Sequence, residues 1–270
     1  MESTSLMQPP DLIIRELHTL DEFADMYVLF NRVWQPEPGE EPVVVAQLHA
    51  LAHTENYVVG AYLGNAMVGA SVAFFGAPIG EVLHSHVTAT IVDGGVGFAL
   101  KQHQRTWAVE RGLSRITWTY DPLIRRNTYF NMVKLGARPE GYRVNFYGNV
   151  DDAVNQHDET DRLLMNWCLT GPKASAAALG VPILRTAPGD AQVAIAAVGD
   201  LPLVRPTDAA TVLVDIPDDI AALRVRNPSA AREWRHAVRD VLGGLLADGA
   251  TITGFDPMAG FIVQRHTTRS

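Results

Sequence analysis

The stretch from Glu81 to Tyr129, EVLHSHVTATIVDGGVGFALKQHQRTWAVERGLSRITWTYDPLIRRNTY, decides how the rest of the chain is read. Val82–Ile91 reads as a strand and carries two histidines, His84 and His86. A turn follows, Asp93-Gly94-Gly95-Val96-Gly97, and then a helix over Phe98–Arg111 that Gly112 stops. Arg115–Tyr120 is a second strand, followed by Asp121-Pro122 and Arg125-Arg126-Asn127. Glycines at a strand-to-helix turn leave backbone N–H groups uncovered beside the positive end of a helix. That geometry suits a phosphate group.

Working outward toward the N-terminus, Leu12–Leu17 reads as a strand and Met1–Asp11 as a loose tail. Thr19-Leu20-Asp21-Glu22 has capping-box spacing, and Phe23, Met26, Tyr27 and Phe30 recur at helical spacing, so a helix is expected to about Trp34. Pro42 opens a second helix, Val43–His53. Tyr57–Leu63 and Ala66–Phe75 form a hairpin across Gly64-Asn65. Three strands in succession imply an antiparallel meander, and the helix Phe98–Arg111 then carries the chain to a parallel neighbour, Arg115–Tyr120. A helix from Thr128 to Leu135 and a strand over Tyr142–Tyr147 complete this part.

After Gly148 the composition changes. Asp151–Asp161 is acidic, Leu163–Leu169 is strand-like, and Gly171–Pro206 is rich in Ala, Pro and Gly, with short β-like pieces at Val181–Leu184 and Val193–Ala197. Thr211–Ile216 is a strand, Asp218–Val225 and Ser229–Ala247 are helices, and Ala250–Phe255 with Phe261–Gln264 form a closing hairpin. Two domains are expected, 1–150 and 151–270, the second packing on the first and its sheet completing or covering it. Arg232, Arg235 and Arg239 share one helix face and read as a solvated charged surface.

The chain has 270 residues, 47% of them hydrophobic and 19% charged, an ordinary globular balance. A formal charge of −8 argues against nucleic acid as a partner. The one cysteine, Cys168, excludes an internal disulfide framework and reads as a packing residue beside Trp167 and Leu169. The first residues have neither a basic nor an apolar signal region, and no apolar run reaches the ~18 residues that span a bilayer, so the cytoplasm is the expected location and no membrane partner is expected.

His84 and His86 are two apart, which puts both on one face of a regular strand. One of them is a candidate general base, with structural hydrogen bonding across the sheet as the alternative. A metal site is not expected, because no third ligand stands at recognisable spacing. Asp121, at the C-terminal end of a strand, is a candidate catalytic or substrate-binding carboxylate, or the cap of the next turn. His103 lies on the apolar stripe of its helix and reads as a satisfied, half-buried histidine.

The order strand, helix, helix, three-strand meander, helix, strand, helix, strand resembles the GNAT acyltransferases over Leu12–Gly148. The residues that carry the likeness are His84-Ser85-His86, Gly95-Val96-Gly97-Phe98-Ala99-Leu100-Lys101, Ile116 to Pro122, and Arg126-Asn127 through Lys134 to Ala137. Asn149 to Leu164 and Trp234-Arg235 to Arg239 add weaker support. The resemblance implies an α+β fold with a mixed sheet, GNAT-like, carrying a C-terminal α+β extension. It implies acetyl-CoA or another acyl-CoA as co-substrate and a small amine as acceptor. It implies that Gly94, Gly95, Val96, Gly97 and Phe98 wrap a pyrophosphate. It also implies that a backbone N–H at Val87 or Ala89 holds the thioester carbonyl, and that Asn127 contacts the cofactor arm or stabilises its loop. Two positions depart from the pattern. Val92 stands where the family carries Arg or Gln, and Met132 stands where many members carry the tyrosine that protonates the departing thiolate. Tyr129, one turn earlier, is the candidate replacement. Two further readings compete: a binding protein of the same fold with little turnover, and an assembly module whose C-terminal region forms a homodimer interface.

Overall fold

The computed structural model describes residues 9, 11–148, 150, 152–156 and 158–266. Most of the tail expected over Met1–Asp11, and Asn149, lie outside the described residues. In chain order the elements are β1 (Leu12–Glu16), α1 (Leu20–Trp34), α2 (Val45–His53), β2 (Tyr57–Leu63), β3 (Ala66–Gly76), β4 (Val82–Thr90), α3 (Val96–Glu110) and β5 (Arg115–Tyr120). Next come α4 (Arg125–Thr128), which continues as a π-helical turn (Tyr129–Lys134), then β6 (Arg138–Arg143), β7 (Arg162–Cys168) and α5 (Pro172–Ala178). The last part holds β8 (Gln192–Val198), β9 (Leu201–Val204), β10 (Thr211–Val214), α6 (Ile220–Arg226) and α7 (Pro228–Val238) with a second π-helical turn (Arg239–Gly243). It ends with α8 (Gly244–Ala247), β11 (Thr251–Asp256) and β12 (Gly260–Gln264).

Two sheets result. Seven strands run in the order β1-β2-β3-β4-β5-β7-β6, and five in the order β11-β12-β10-β8-β9. The expected α+β class is what the chain shows: one mixed sheet, followed by a C-terminal α+β region with a sheet of its own. The C-terminal strands β8 to β12 do not add to the first sheet; they form their own. Strand β10 is buried at every position, so the five-stranded sheet has an interior of its own. Packing divides the chain into two compact units. The first comprises Met1–Trp118, Asp151–Val154 and Cys168–Thr170; the second comprises Thr119–Val150, Asn155–Trp167 and Gly171–Ser270.

In the first unit the capping box forms as the spacing requires. Thr19 Oγ1 accepts from the Glu22 amide at 3.3 Å and Glu22 Oε2 accepts from the Thr19 amide at 3.0 Å. Phe23, Met26, Leu29 and Phe30 then bury against Val58, Val72, Val87 and Ala89. The β2–β3 hairpin turns at Gly64, whose φ of +58° a glycine adopts without strain. Strand β3 pairs antiparallel with β4, and β4 pairs parallel with β5.

In the second unit the dominant feature is a buried ion cluster. Arg235, 0% exposed, donates to both carboxylate oxygens of Asp121 at 2.8 and 2.7 Å and to Asp158 at 2.8 Å. Arg224 donates to Asp121 and to Asp158, both at 2.8 Å. Arg239 reaches Asp161 at 2.7 Å and Glu159 at 2.6 Å, and the Tyr142 hydroxyl donates to Asp161 at 2.7 Å. Arg235 is therefore not solvated but buried against carboxylates, and Arg239 is half-buried against Asp161 and Glu159; Arg232, on the same face, is exposed as expected. Cys168 is exposed, while its neighbours Trp167 and Leu169 are buried.

Burial raises the pKa of Asp121, and the adjacent guanidiniums of Arg235 and Arg224 outweigh it and hold the carboxyl well below its ordinary range. A depressed carboxyl stabilises the fold above its unfolded pKa and loses that contribution as pH falls. Asp121→Asn should lower the unfolding free energy by about 3–5 kcal/mol, because two buried guanidiniums lose a charged partner. Urea denaturation at neutral pH measures this, and a loss under 1 kcal/mol would show that the cluster is not held together by charge.

Candidate functional site

The candidate site lies in the first unit and begins where β4 and β5 part. Their ladder has only three residue pairs, Val82 with Arg115, Leu83 with Ile116 and His84 with Thr117. Beyond them β4 continues as Ser85–Thr90 with no ladder partner on that edge among the described residues. The cause is local. The register of β3 against β4 steps from Val72–Val87 to Ala73–Ser85, so His86 is an inserted residue, a β-bulge that bends the strand.

Ordinary alternation keeps both histidines on one face, and the inserted residue brings Val87 onto that same side. Their rings both lie against Phe74, with centroid separations of 5.3 Å for His84 and 5.8 Å for His86. His84 Nδ1 is 3.0 Å from Thr117 Oγ1, and His86 Nε2 is 3.0 Å from the Pro42 carbonyl oxygen. A carbonyl only accepts, so His86 Nε2 carries the proton, and in the neutral ring Nδ1 is left with a lone pair. Burial, with smaller contributions from His86 and Lys101, lowers the His84 pKa to about 4.

Val87 and Ala89 follow the bulge and belong to the core with α1 and α2. The Ile91 amide donates to the Val68 carbonyl at 2.9 Å. Antiparallel alternation from that bond turns the amides of Val87 and Ala89 toward β3, and those of Thr88 and Thr90 toward the open edge. Thr88 and Thr90 are the open-edge positions that sequence reading missed; only the register reveals them.

At the end of β4 the glycine turn leads into α3. Gly94 and Gly95 have φ of +85° and +87°, and Gly95 is the N-cap residue. A Cβ on Gly94 would meet no atom within 4 Å, so the turn stands in open space. The first helical bond runs from the Ala99 amide to the Gly95 carbonyl at 2.9 Å, which leaves the amides of Val96, Gly97 and Phe98 without acceptors inside the helix. These donors and the helix dipole favour an anion. Val92 and Asp93 are both exposed at the same turn.

The structure thus brings His84, His86, Val87, Ala89 and Gly94–Phe98 together along one strand and its following turn. Asp121, Asn127 and Tyr129 belong to the second unit. There Asp121 is 5% exposed and also accepts from the Leu123 amide at 2.9 Å, the cap of its own turn. Asn127 and Tyr129 are half-buried, in α4 and at the start of its π-helical turn, and Met132 is buried. Among the described residues no group of three or more His, Cys, Asp or Glu side chains is arranged to hold a metal ion. No described helix is long and apolar enough to cross a membrane.

His84 gives this site a signature in stability. Its unfolded pKa is the ordinary ~6.5 and its folded pKa about 4. Between these values the unfolded chain binds the proton and the folded chain does not, so stability falls as pH drops from about 6.5 to 4. His84→Gln should melt with a smaller difference between pH 7 and pH 4.5 than the parent protein. Parallel melting curves across that range would show that His84 is not buried as a neutral ring.

No family model matches the chain, and no curated protein matches it. Solved structures similar to it include an acetyltransferase of the GNAT family from Streptococcus pneumoniae, 17% identical, covering 57% of this chain and 98% of that one with a TM-score of 0.46. Another is the aminoglycoside 6'-N-acetyltransferase from Enterococcus faecium, 16% identical, covering 59% and 98% with a TM-score of 0.45. A third is a GNAT family acetyltransferase from Elizabethkingia anophelis with acetyl-CoA bound, 17% identical, covering 59% and 99% with a TM-score of 0.43.

Proposed function

We propose that the chain is a CoA-dependent N-acyltransferase that moves an acyl group, acetyl in the simplest case, from acyl-CoA to a small amine. The observation that carries this reading is the gap opened between β4 and β5 directly beyond His84, with an anion-suited turn at the far end of the same strand. Amides that face the open edge past the last ladder pair suit an extended polar chain. The turn beyond it suits the phosphates at that chain's end.

In this reading the amides of Val96, Gly97 and Phe98 hold the pyrophosphate, and Gly94 and Gly95 supply the left-handed backbone that aims them. The Thr88 and Thr90 amides offer preorganised donors to the thioester carbonyl, where negative charge grows as the amine attacks. Val87 and Ala89 form the apolar backing of the same strand. His86 accepts the amine proton at Nδ1, with Nε2 fixed by Pro42. His84, held neutral, orients the acceptor from the same face. Asp121, committed to Arg224, Arg235 and the Leu123 amide, acts as a structural anion.

A second reading, a binding protein of this fold with little turnover, draws on one observation. Asp93 is exposed at the turn and sets a negative charge beside the phosphate position.

Two variants test the reading. Gly95→Val forces a branched residue into a φ of +87°, and should weaken acetyl-CoA binding at least tenfold in calorimetric titration while circular dichroism stays unchanged. Unchanged affinity would place the cofactor elsewhere. His86→Gln should slow acyl transfer to a panel of small amines by roughly 10²–10⁴-fold per folded molecule, with acetyl-CoA affinity retained. Tight acetyl-CoA binding by the wild type without turnover on any amine selects the binding-protein reading.

A further inference from the structure

Helix α3 sends one amine into the sheet. Lys101 is 6% exposed, and its Nζ donates to Ser85 Oγ at 2.8 Å and to Gln104 Oε1 at 3.2 Å. The same Nζ lies 4.3 Å from the centroid of the Trp118 ring. Ser85 and Trp118 are the first residues of β4 and β5 beyond the last ladder pair, His84 with Thr117. Lys101 therefore reaches both strands, at Ser85 and at Trp118, at the point where their ladder ends.

The chemistry of that position is unusual. An ammonium has three N–H groups, and here two have oxygen acceptors while the third side meets a ring face. Burial alone lowers its pKa, to about 7; no carboxylate offsets it. Burying a cation without an anion is costly, and packing alone would be served by an uncharged side chain. The groups facing it are Gln104 on its own helix, Ser85 and His84 on β4, and Trp118 on β5, with Ser71 on β3 reached through Gln104 at 3.4 Å. Of these only His84 titrates, and it does so near 4, well below Lys101.

We infer that Lys101 is the acid that protonates the departing thiolate, a role that rests on the acyltransferase reading. The acceptor nitrogen bonds to the acyl carbon, and the C–S bond breaks with its electron pair on sulfur. Lys101 delivers an Nζ proton to that sulfur. The neutral amine left behind regains its proton from the one the acceptor nitrogen sheds, passed through His86 and solvent. Tyr129 is the side chain that the family resemblance offers for the same step.

The test compares the wild type with Lys101→Met and Tyr129→Phe. In the wild type kcat should fall as pH rises through about 7. In Lys101→Met it should drop about 10²-fold and lose that dependence, while Tyr129→Phe keeps it. Two readouts need no turnover. Carbon-13 labelled lysine in the free protein should show one ε-carbon titrating near neutral pH, absent in Lys101→Met. Ultraviolet absorbance of bound CoA should show its thiolate forming at lower pH in the wild type than in Lys101→Met. Should Lys101→Met fail to fold by circular dichroism, Ser85→Ala removes an acceptor of the ammonium and should move the kcat limb to lower pH. An active wild type with unchanged kcat and pH limb in Lys101→Met, or an unmoved limb in Ser85→Ala, overturns the role of Lys101 alone. A wild type that neither binds acetyl-CoA nor turns over overturns the acyltransferase reading, and the role of Lys101 with it.

Discussion

The first unit depends on how few residue pairs join β4 to β5. A parallel ladder that ran on past His84 would satisfy the amides of Thr88 and Thr90 and leave no gap. The inserted residue His86 prevents this by bending β4 away. Backbone donors inside a sheet must be paired with something, and an edge stripped of its neighbour is paired by water or by a bound chain. The inserted residue is also the one whose ring nitrogen, Nε2, lies 3.0 Å from the Pro42 carbonyl oxygen.

Burial acts on two sets of charges with opposite outcomes. Lys101 and Arg235 are both removed from water. Lys101 has only neutral partners, and its proton is loosened; Arg235 has Asp121 and Asp158, and its pKa is driven well above the ordinary value. Desolvation is common to both, so the presence of a carboxylate decides the sign. A buried cation that can lose its proton near neutral pH suits chemistry. One that cannot suits architecture.

Much of this was legible in the sequence, and the misses have physical causes. Tyr57–Leu63 and Arg115–Tyr120 match their expected bounds because turn residues flank both runs. Helix α3 begins at Val96 rather than Phe98, since Gly95 absorbs the positive φ and the next residue is free to start the helix. Strand β6 lies at Arg138–Arg143, not Tyr142–Tyr147; it is an edge strand, where Pro139 is tolerated. Helix α5 was hidden because a run of alanines has no period. The burial of Arg235 could not be read from its helix, whose charge pattern fits a solvated face equally well; its partners lie 77 and 114 residues away. The bulge at His86 left no mark in composition, which is why Val87 and Ala89 drew attention that the register gives to Thr88 and Thr90.

The spacing of the buried ion cluster also bears on how the second unit comes into being. Asp121 meets Arg224 and Arg235 across 103 and 114 residues, and Asp158 meets them across 66 and 77. Closing loops of that length is entropically expensive and slow, and neither carboxylate can leave water before its guanidinium arrives. On the ribosome, then, the chain must be made through Arg235 before these charges are matched. Until then Asp121 and Asp158 stay hydrated, and the unit condenses in a step gated by the arrival of Arg224 and Arg235.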